Sequence, residues 1–380
     1  MSYVQRSERS GFYNKTNIPV IKDLSDHERV IIEVVTYVFL CGGVSIFGIV
    51  SNVVNMAIFF KQGLRTTMNI SFFSLAISDV CSLVTLFWFS LCMNPLFENS
   101  DVPFISREIQ YLTGGWPSFC FARITSFITS YITAERCLCI ISPLKVKHII
   151  TPKRTLVTIV FIYIFIFLST VPEYASSYIS WKHHPIRNQS VLGLVFYPNR
   201  KDIEGLGFVL NAILGTFSYI LIILFTTILV CKLRQENKCP TKNCIKPDKP
   251  ELVTNRKKAV NMVLIIAVIS IVCSTPCIIF SLVSFFEPEF SILGGYCNIF
   301  HVVWSFGFLF TGINSSVNAI LYYQMSSKYK KSFHDMFFGN YRINSLVLKD
   351  NNSGLSNSLK HFQSRGFQTF LPDVNKQNET

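Results

Sequence analysis

Charge is scarce in this chain: Asp, Glu, Lys and Arg supply 15% of its 380 residues, while 50% are hydrophobic. A soluble chain of this length would form one large or two ordinary domains and would need more charge on its surface. Residues 1–30 have no apolar core, so no cleavable leader is expected and the first apolar run serves as its own insertion signal. There is no His-Glu-x-x-His zinc pair, no Gly-x-Ser-x-Gly elbow and no phosphate-binding loop, which leaves an enzyme without support. His183-His184 stand without neighbouring cysteines, and no inverted repeat with paired broken helices points to a transporter. Acidic residues are too few to balance the basic ones, and the net charge is +13. Its distribution between apolar runs argues against nucleic acid as a partner.

What the chain has is apolar length. Crossing the roughly 30 Å of bilayer hydrocarbon takes about 20 helical residues. Seven runs are that long: 31–60, 67–93, 117–141, 155–174, 205–232, 259–286 and 292–323. In lipid every backbone amide must be satisfied within its own segment, so each run is predicted to be a helix. The expected fold is an all-α integral membrane protein, a bundle of seven transmembrane helices with a short amphipathic eighth helix at 328–338 lying along the membrane. Residues 1–30 form an extracellular segment, 31–338 the membrane domain, and 339–380 a Ser- and Asn-rich tail expected to be disordered, cytoplasmic and open to phosphorylation.

Orientation follows from the basic residues. With the amino terminus outside, 23 Lys and Arg fall in the inner loops and tail and 10 on the opposite face. Short loops obey the positive-inside rule, which puts the amino terminus outside and the carboxy terminus in the cytoplasm. The sequons at Asn14 and Asn188 fall on the outer face, where glycosylation is possible, although Asn378 shows the same triplet inside. This orientation is the reverse of insect-odorant-type channels.

The third run ends in Glu135-Arg136-Cys137, with Pro143-Leu144 beginning seven residues after the arginine. Asn52 stands in the first run, Leu75-Ala76 and Asp79 in the second, Pro276 in the sixth and Asn314-Ser315-Ser316-Val317-Asn318-Ala319-Ile320-Leu321-Tyr322 in the seventh. In these residues, taken in order, the chain resembles the rhodopsin-like (class A) G-protein-coupled receptors, with their acidic-Arg-aromatic triplet and Asn-Pro-x-x-Tyr signature. Leu112-Thr113-Gly114-Gly115-Trp116-Pro117 and Ile132-Thr133-Ala134-Glu135-Arg136-Cys137-Leu138-Cys139 are similar to an invertebrate branch, the gastropod-type chemosensory receptors and FMRFamide-type peptide receptors.

The resemblance implies a plasma-membrane receptor that binds an extracellular ligand, a chemosensory small molecule or a neuropeptide, and activates a heterotrimeric G protein. Arrestin and a receptor kinase are further implied partners, and no cofactor is expected. Glu135, Arg136, Pro143, Pro276, Asn318 and Tyr322 would carry switching and coupling. Arg136 lies at the inner boundary, where a guanidinium beside Glu135 is tolerable; by itself it would read as a snorkelling interfacial arginine. Asp79 is a carboxylate in an apolar helix and needs partners. The resemblance offers Asn52, Thr125, Asn314, Ser315 and Asn318, a cluster that in relatives can hold sodium. Polar packing around a protonated Asp79 is the other reading. A non-signalling transporter or channel is the alternative function, but it does not explain the Glu135-Arg136 or Asn318–Tyr322 motifs.

Several positions depart from the family. The usual disulfide to the second outer loop is not expected, since residues 174–204 contain no Cys and Tyr111 stands at the helix partner's place. Ser274 replaces the switch tryptophan, Arg256 the inner acid and Ala319 the proline of the seventh helix. Pro276 should still kink its helix. Cys239 and Cys244 read as plain thiols more readily than as metal ligands. The tail lacks the cysteine needed for a palmitoyl anchor. Ser118 occupies the place of the amine receptors' aspartate, so a monoamine ligand is not expected. Trp116, Ser118, Phe119, Ala122 and Arg123 are the pocket candidates, although an aromatic stripe can equally be packing. Arg123 could meet a ligand carboxylate or pair with an internal acid such as Glu173. The outer acids Glu98, Asp101, Glu108, Glu287 and Glu289 either attract a basic peptide or form a solvated rim.

Overall fold

A computed structural model describes residues 24–184, 188–198, 200–238, 250–287, 289–291 and 294–338. Asn14, Cys239, Cys244, Asn378 and the tail from 339 lie outside the described residues.

The apolar runs are helices: α1 (Asp26–Gln62), α2 (Thr67–Cys92), α3 (Ser106–Ile141), α4 (Pro152–Ser176), α5 (Arg200–Lys238), α6 (Pro250–Phe286) and α7 (Cys297–Ser316). Among the described residues six of them, α1 to α6, are long and apolar enough to cross a membrane by length and composition. The seventh crossing is shared between α7 and a continuation at Asn318–Met325, with Val317 at the joint. The short helix α8 (Ser327–Phe337) follows, its first turn capped by Ser326 Oγ accepting from the Tyr329 amide at 3.2 Å.

Five helices, α1 and α3 to α6, start earlier than their apolar runs, and local structure explains two of them. α1 begins at Asp26 because Ser25 and Glu28 form a capping box, with the Ser25 amide donating to Glu28 Oε2 at 3.0 Å. α3 begins at Ser106, and Pro117 marks no start. A π-helical turn over Tyr111–Gly115 precedes the proline, so the missing N–H falls where the ladder already changes period.

Burial separates the inner helices from the lipid-facing ones. In its most apolar stretch α2 is 61% buried inside the bundle, against 22% for α4. Exposed Phe161, Phe165 and Leu168 on α4 and Val272, Phe285 and Phe286 on α6 give the apolar surface that hydrocarbon requires.

Between α4 and α5 stands a hairpin that the all-α expectation did not contain. Strands β1 (Ser177–His184) and β2 (Gln189–Phe196) pair antiparallel, with Ser177 opposite Phe196 and His184 opposite Gln189. Asn188, in the turn, is exposed and has φ of 47°, a left-handed conformation that Asn tolerates.

No cysteine is available to fasten this hairpin, and all ten cysteines among the described residues are free thiols. Glu108, on the first turn of α3, takes that part. Its Oε2 accepts from Lys182 Nζ of β1 at 2.5 Å and from the Leu194 amide of β2 at 2.9 Å. The Ile105 amide donates to Leu192 O at 2.9 Å, and the Leu192 amide to Pro103 O at 2.8 Å. Tyr111 packs edge-on against Phe196, with ring centroids 6.5 Å apart. Charge-assisted hydrogen bonds of this kind contribute about 1.5–3 kcal/mol each. Glu108→Ala is therefore expected to speed amide exchange across 191–194 by roughly tenfold or more, about 1.4 kcal/mol per decade, while dithiothreitol leaves it unchanged. Hydrogen exchange with mass-spectrometric readout measures both.

Candidate functional site

Polar side chains gather where α2, α3 and the seventh crossing meet. Asp79 is fully buried; its Oδ1 accepts from Thr125 Oγ1 at 2.9 Å and its Oδ2 from Asn318 Nδ2 at 2.8 Å. Ser78 Oγ lies 2.9 Å from Thr125 Oγ1. Asn52 donates to Gly48 O at 2.9 Å on its own helix and to Ser315 O at 2.8 Å on α7. Asn55 donates to Asn52 Oδ1 at 3.0 Å and in turn accepts from the Tyr329 hydroxyl of α8 at 2.6 Å. Ser315 Oγ is buried with no hydrogen-bond partner, and Asn314 makes no side-chain hydrogen bond among the described residues. Asp79, Thr125 and Asn318 thus share one set of hydrogen bonds, Asn52 and the Ser315 carbonyl belong to a second, and Asn314 stands apart from both.

The α8 end of α3 is charged. Arg136 Nη2 donates to Glu135 Oε1 at 2.6 Å, and the same oxygen accepts from Thr67 Oγ1 of α2 at 2.5 Å. Glu135 is 2% exposed and its Oε2 is buried without a partner, as is Arg136 Nε. Glu135 also lines a cavity of about 610 Å³ together with Tyr131, Leu138, Ile150, Arg154 and Val157. Tyr322 turns inward, with its ring centroid 5.2 Å from Phe59, 5.0 Å from Phe72 and 5.7 Å from Tyr329. Pro143 opens a short helix, Pro143–Ile149, and Pro276 lies inside α6. The side chain of Arg256 is outside the description.

Towards the hairpin end the α3 candidates point to different neighbours. Ser118 is fully buried against α2, its Oγ donating to Ser82 O at 3.3 Å. Phe119 meets α7, with ring centroids 4.6 Å from Phe308 and 5.9 Å from Trp304. Trp116 packs between Tyr111 and Phe119 at 6.3 and 6.4 Å. The backbone oxygen of Ala122 accepts from Ser126 Oγ at 3.1 Å. Arg123 faces α5, where its Nη2 donates to Asn211 Oδ1 at 3.2 Å. Its suggested partner Glu173 is fully buried and accepts from the Tyr111 hydroxyl at 3.2 Å.

The sequence matches the family described as "7 transmembrane receptor (rhodopsin family)" over residues 51–322. The chain belongs to the rhodopsin family of seven-transmembrane receptors. The receptor is 26% identical to neuromedin-U receptor 2 of Rattus norvegicus over 299 residues, 76% of this chain and 72% of the relative. It is 25% identical to neuromedin-U receptor 2 of Homo sapiens over 307 residues, 77% of this chain and 69% of that one.

Two links of the receptor had no signal in the sequence. The Tyr219 hydroxyl of α5 lies 2.8 Å from Thr275 Oγ1, one residue before Pro276 on α6. Asn298 on α7 accepts from Arg29 Nη1 at 3.0 Å and donates to Leu24 O at 2.7 Å and to Asp26 Oδ1 at 3.0 Å, tying α1 to α7. An Asn or Tyr in an apolar run signals only that a partner is needed.

Asn318→Ala would leave Asp79 Oδ2 buried without its donor. The expected loss is about 1–3 kcal/mol, seen as a lower unfolding temperature of the purified receptor, whereas Asn314→Ala is close to neutral.

Proposed function

We propose that the receptor takes an extracellular ligand at its hairpin end and activates a heterotrimeric G protein at its α8 end. In this reading the amino terminus lies outside the plasma membrane and the carboxy terminus in the cytoplasm, in agreement with the positive-inside charge bias. Asn188 in the exposed hairpin turn and Asn14 would then be open to glycosylation. The relatives are receptors named for neuromedin U, which favours a peptide ligand over a chemosensory small molecule. Receptor kinase and arrestin would act at the α8 end and on the tail.

The observation that carries the reading is the state of Arg136. It is held by Glu135 on its own helix, and Glu135 is held by Thr67 on α2. Freed from Glu135, the guanidinium has five donors for an incoming carbonyl or carboxylate group. A ligand that favours an outward swing of the α8-side half of α6 shifts the population towards that freed state. Pro276 interrupts the α6 ladder where the Tyr219–Thr275 link joins α6 to α5, so the two halves of α6 can move separately. The opened cleft, lined by Arg136 and the region near Tyr322, accepts a helix of the G protein.

Asp79, Thr125 and Ser315 would offer a hard cation such as sodium one carboxylate and two hydroxyl oxygens, since the Ser315 hydroxyl is buried near the Asp79 carboxylate without a hydrogen bond of good geometry. Such an ion would supply positive charge to the carboxylate; the protein's own part is to hold α2, α3 and the seventh crossing together.

Glu135→Gln weakens the bond that restrains Arg136 and is expected to raise basal nucleotide exchange several-fold, about 1 kcal/mol in the equilibrium between states. Arg136→Ala is expected to abolish coupling at equal surface expression. Nucleotide exchange on a promiscuous G protein, measured in nanodiscs, reads both variants. Full exchange with Arg136→Ala would sink the coupling role.

A further inference from the structure

We infer that Arg123 is the anchor for an anionic group, chiefly a carboxylate, on the ligand of this receptor. The inference rests on the receptor reading above and gives its ligand a chemical class.

Arg123 lies thirteen residues before Arg136 on one continuous helix, about 20 Å along the axis. A permanently charged guanidinium at that depth is costly unless paired. The four ion pairs among the described residues are Arg107–Glu33, Arg107–Glu98, Arg136–Glu135 and Lys182–Glu108, and none involves Arg123. Of its five N–H donors, one reaches Asn211 Oδ1 at 3.2 Å, and Nε is buried with no partner.

The surroundings are shaped to the guanidinium. A Cβ on Gly215 of α5 would stand 2.5 Å from Arg123 Nη1 and 2.8 Å from its Cζ, so the guanidinium occupies the space beside this glycine and would have to shift to admit a side chain there. The acid that could have neutralised it is seated elsewhere on the same face of α5. Glu173 fills the space left by Gly207, eight residues and about 12 Å from Gly215. Asn211 stands midway between the two glycines, on the same face of the helix at i, i+4 spacing. Two seats on α5 therefore keep the acid and the base about two turns apart, and the base retains its charge without an internal counter-ion. Ser118, one turn up α3 from Ala122, is consumed by α2, so α3 offers this region a cation and no carboxylate. A planar fork of donors selects a planar two-oxygen acceptor.

The test uses purified full-length receptor in nanodiscs and two probe pairs: N-acetylphenylalanine with its primary amide, and 4-phenylbutyrate with its primary amide. Each acid at saturating millimolar concentration is expected to raise the unfolding temperature by about 2–4 °C, and the amides are not. Arg123→Gln should abolish the difference between acid and amide. Arg123→Lys, which keeps the charge and loses the fork, should retain part of it and serves if the Gln variant does not fold. Equal shifts from acids and amides, shifts that survive in Arg123→Gln, or no shift from either acid would overturn the anchor. The readout contains no G protein, so these outcomes bear on Arg123 alone, while the coupling reading stands or falls with Arg136→Ala.

Discussion

Asp79 and its donors are the constraint around which the rest of the bundle is arranged. In hydrocarbon there is no water to satisfy a carboxylate, so its partners must come from neighbouring helices. Thr125 comes from α3 and Asn318 from the seventh crossing, and one side chain thereby fixes the depth of three helices relative to one another. Asn52 extends the same logic to α1 by reaching the Ser315 carbonyl, at the joint where α7 loosens before Val317. Apolar contact between helices has little preference for one register, because lipid tails are as apolar as leucine side chains. Register in this bundle is set by polar groups, and apolar packing follows.

The hairpin end solves a different problem. A covalent tie between α3 and the loop after α4 is common in receptors of this kind; here a carboxylate, an ammonium and backbone amides make the attachment. Such a tie forms without an oxidant and depends on charge, so it responds to ionic strength where a disulfide does not. It also leaves Tyr111 free to bridge two elements, its ring on Phe196 and its hydroxyl on Glu173.

The helices and their order were legible in the sequence because a length of about 20 apolar residues has few other readings. The ends were less so. Apolarity says nothing about Ser25 and Glu28, which prolong α1 into polar sequence, and Pro117 reads as a start until the π turn before it is seen. Asp79, Asn318 and Arg136 were found through family motifs, and the structure adds which of their atoms meet. The Glu108 clamp was illegible because its partners lie 74 and 86 residues away on strands that alternation did not announce. Gly207 and Gly215 were silent for the same reason: a glycine within a helical run acquires meaning only when the side chain that occupies its vacant Cβ position is known.

The hydrogen bond from Tyr329 to Asn55 joins the surface helix to this interior order. From Tyr329 the bonds pass to Asn55, to Asn52 and to the Ser315 carbonyl, which sits three residues before the Asn318 that holds Asp79. An amphipathic α8 would rest at the boundary between headgroups and hydrocarbon, whereas Asp79 is fully buried inside the bundle, and these bonds, continued by the backbone from Ser315 to Asn318, set the distance between them. The bundle thus carries its own ruler for the bilayer: in a membrane thinner or thicker than that length, the mismatch is taken up by tilt of the outer helices and by deformation of the lipid, and the polar core keeps its spacing.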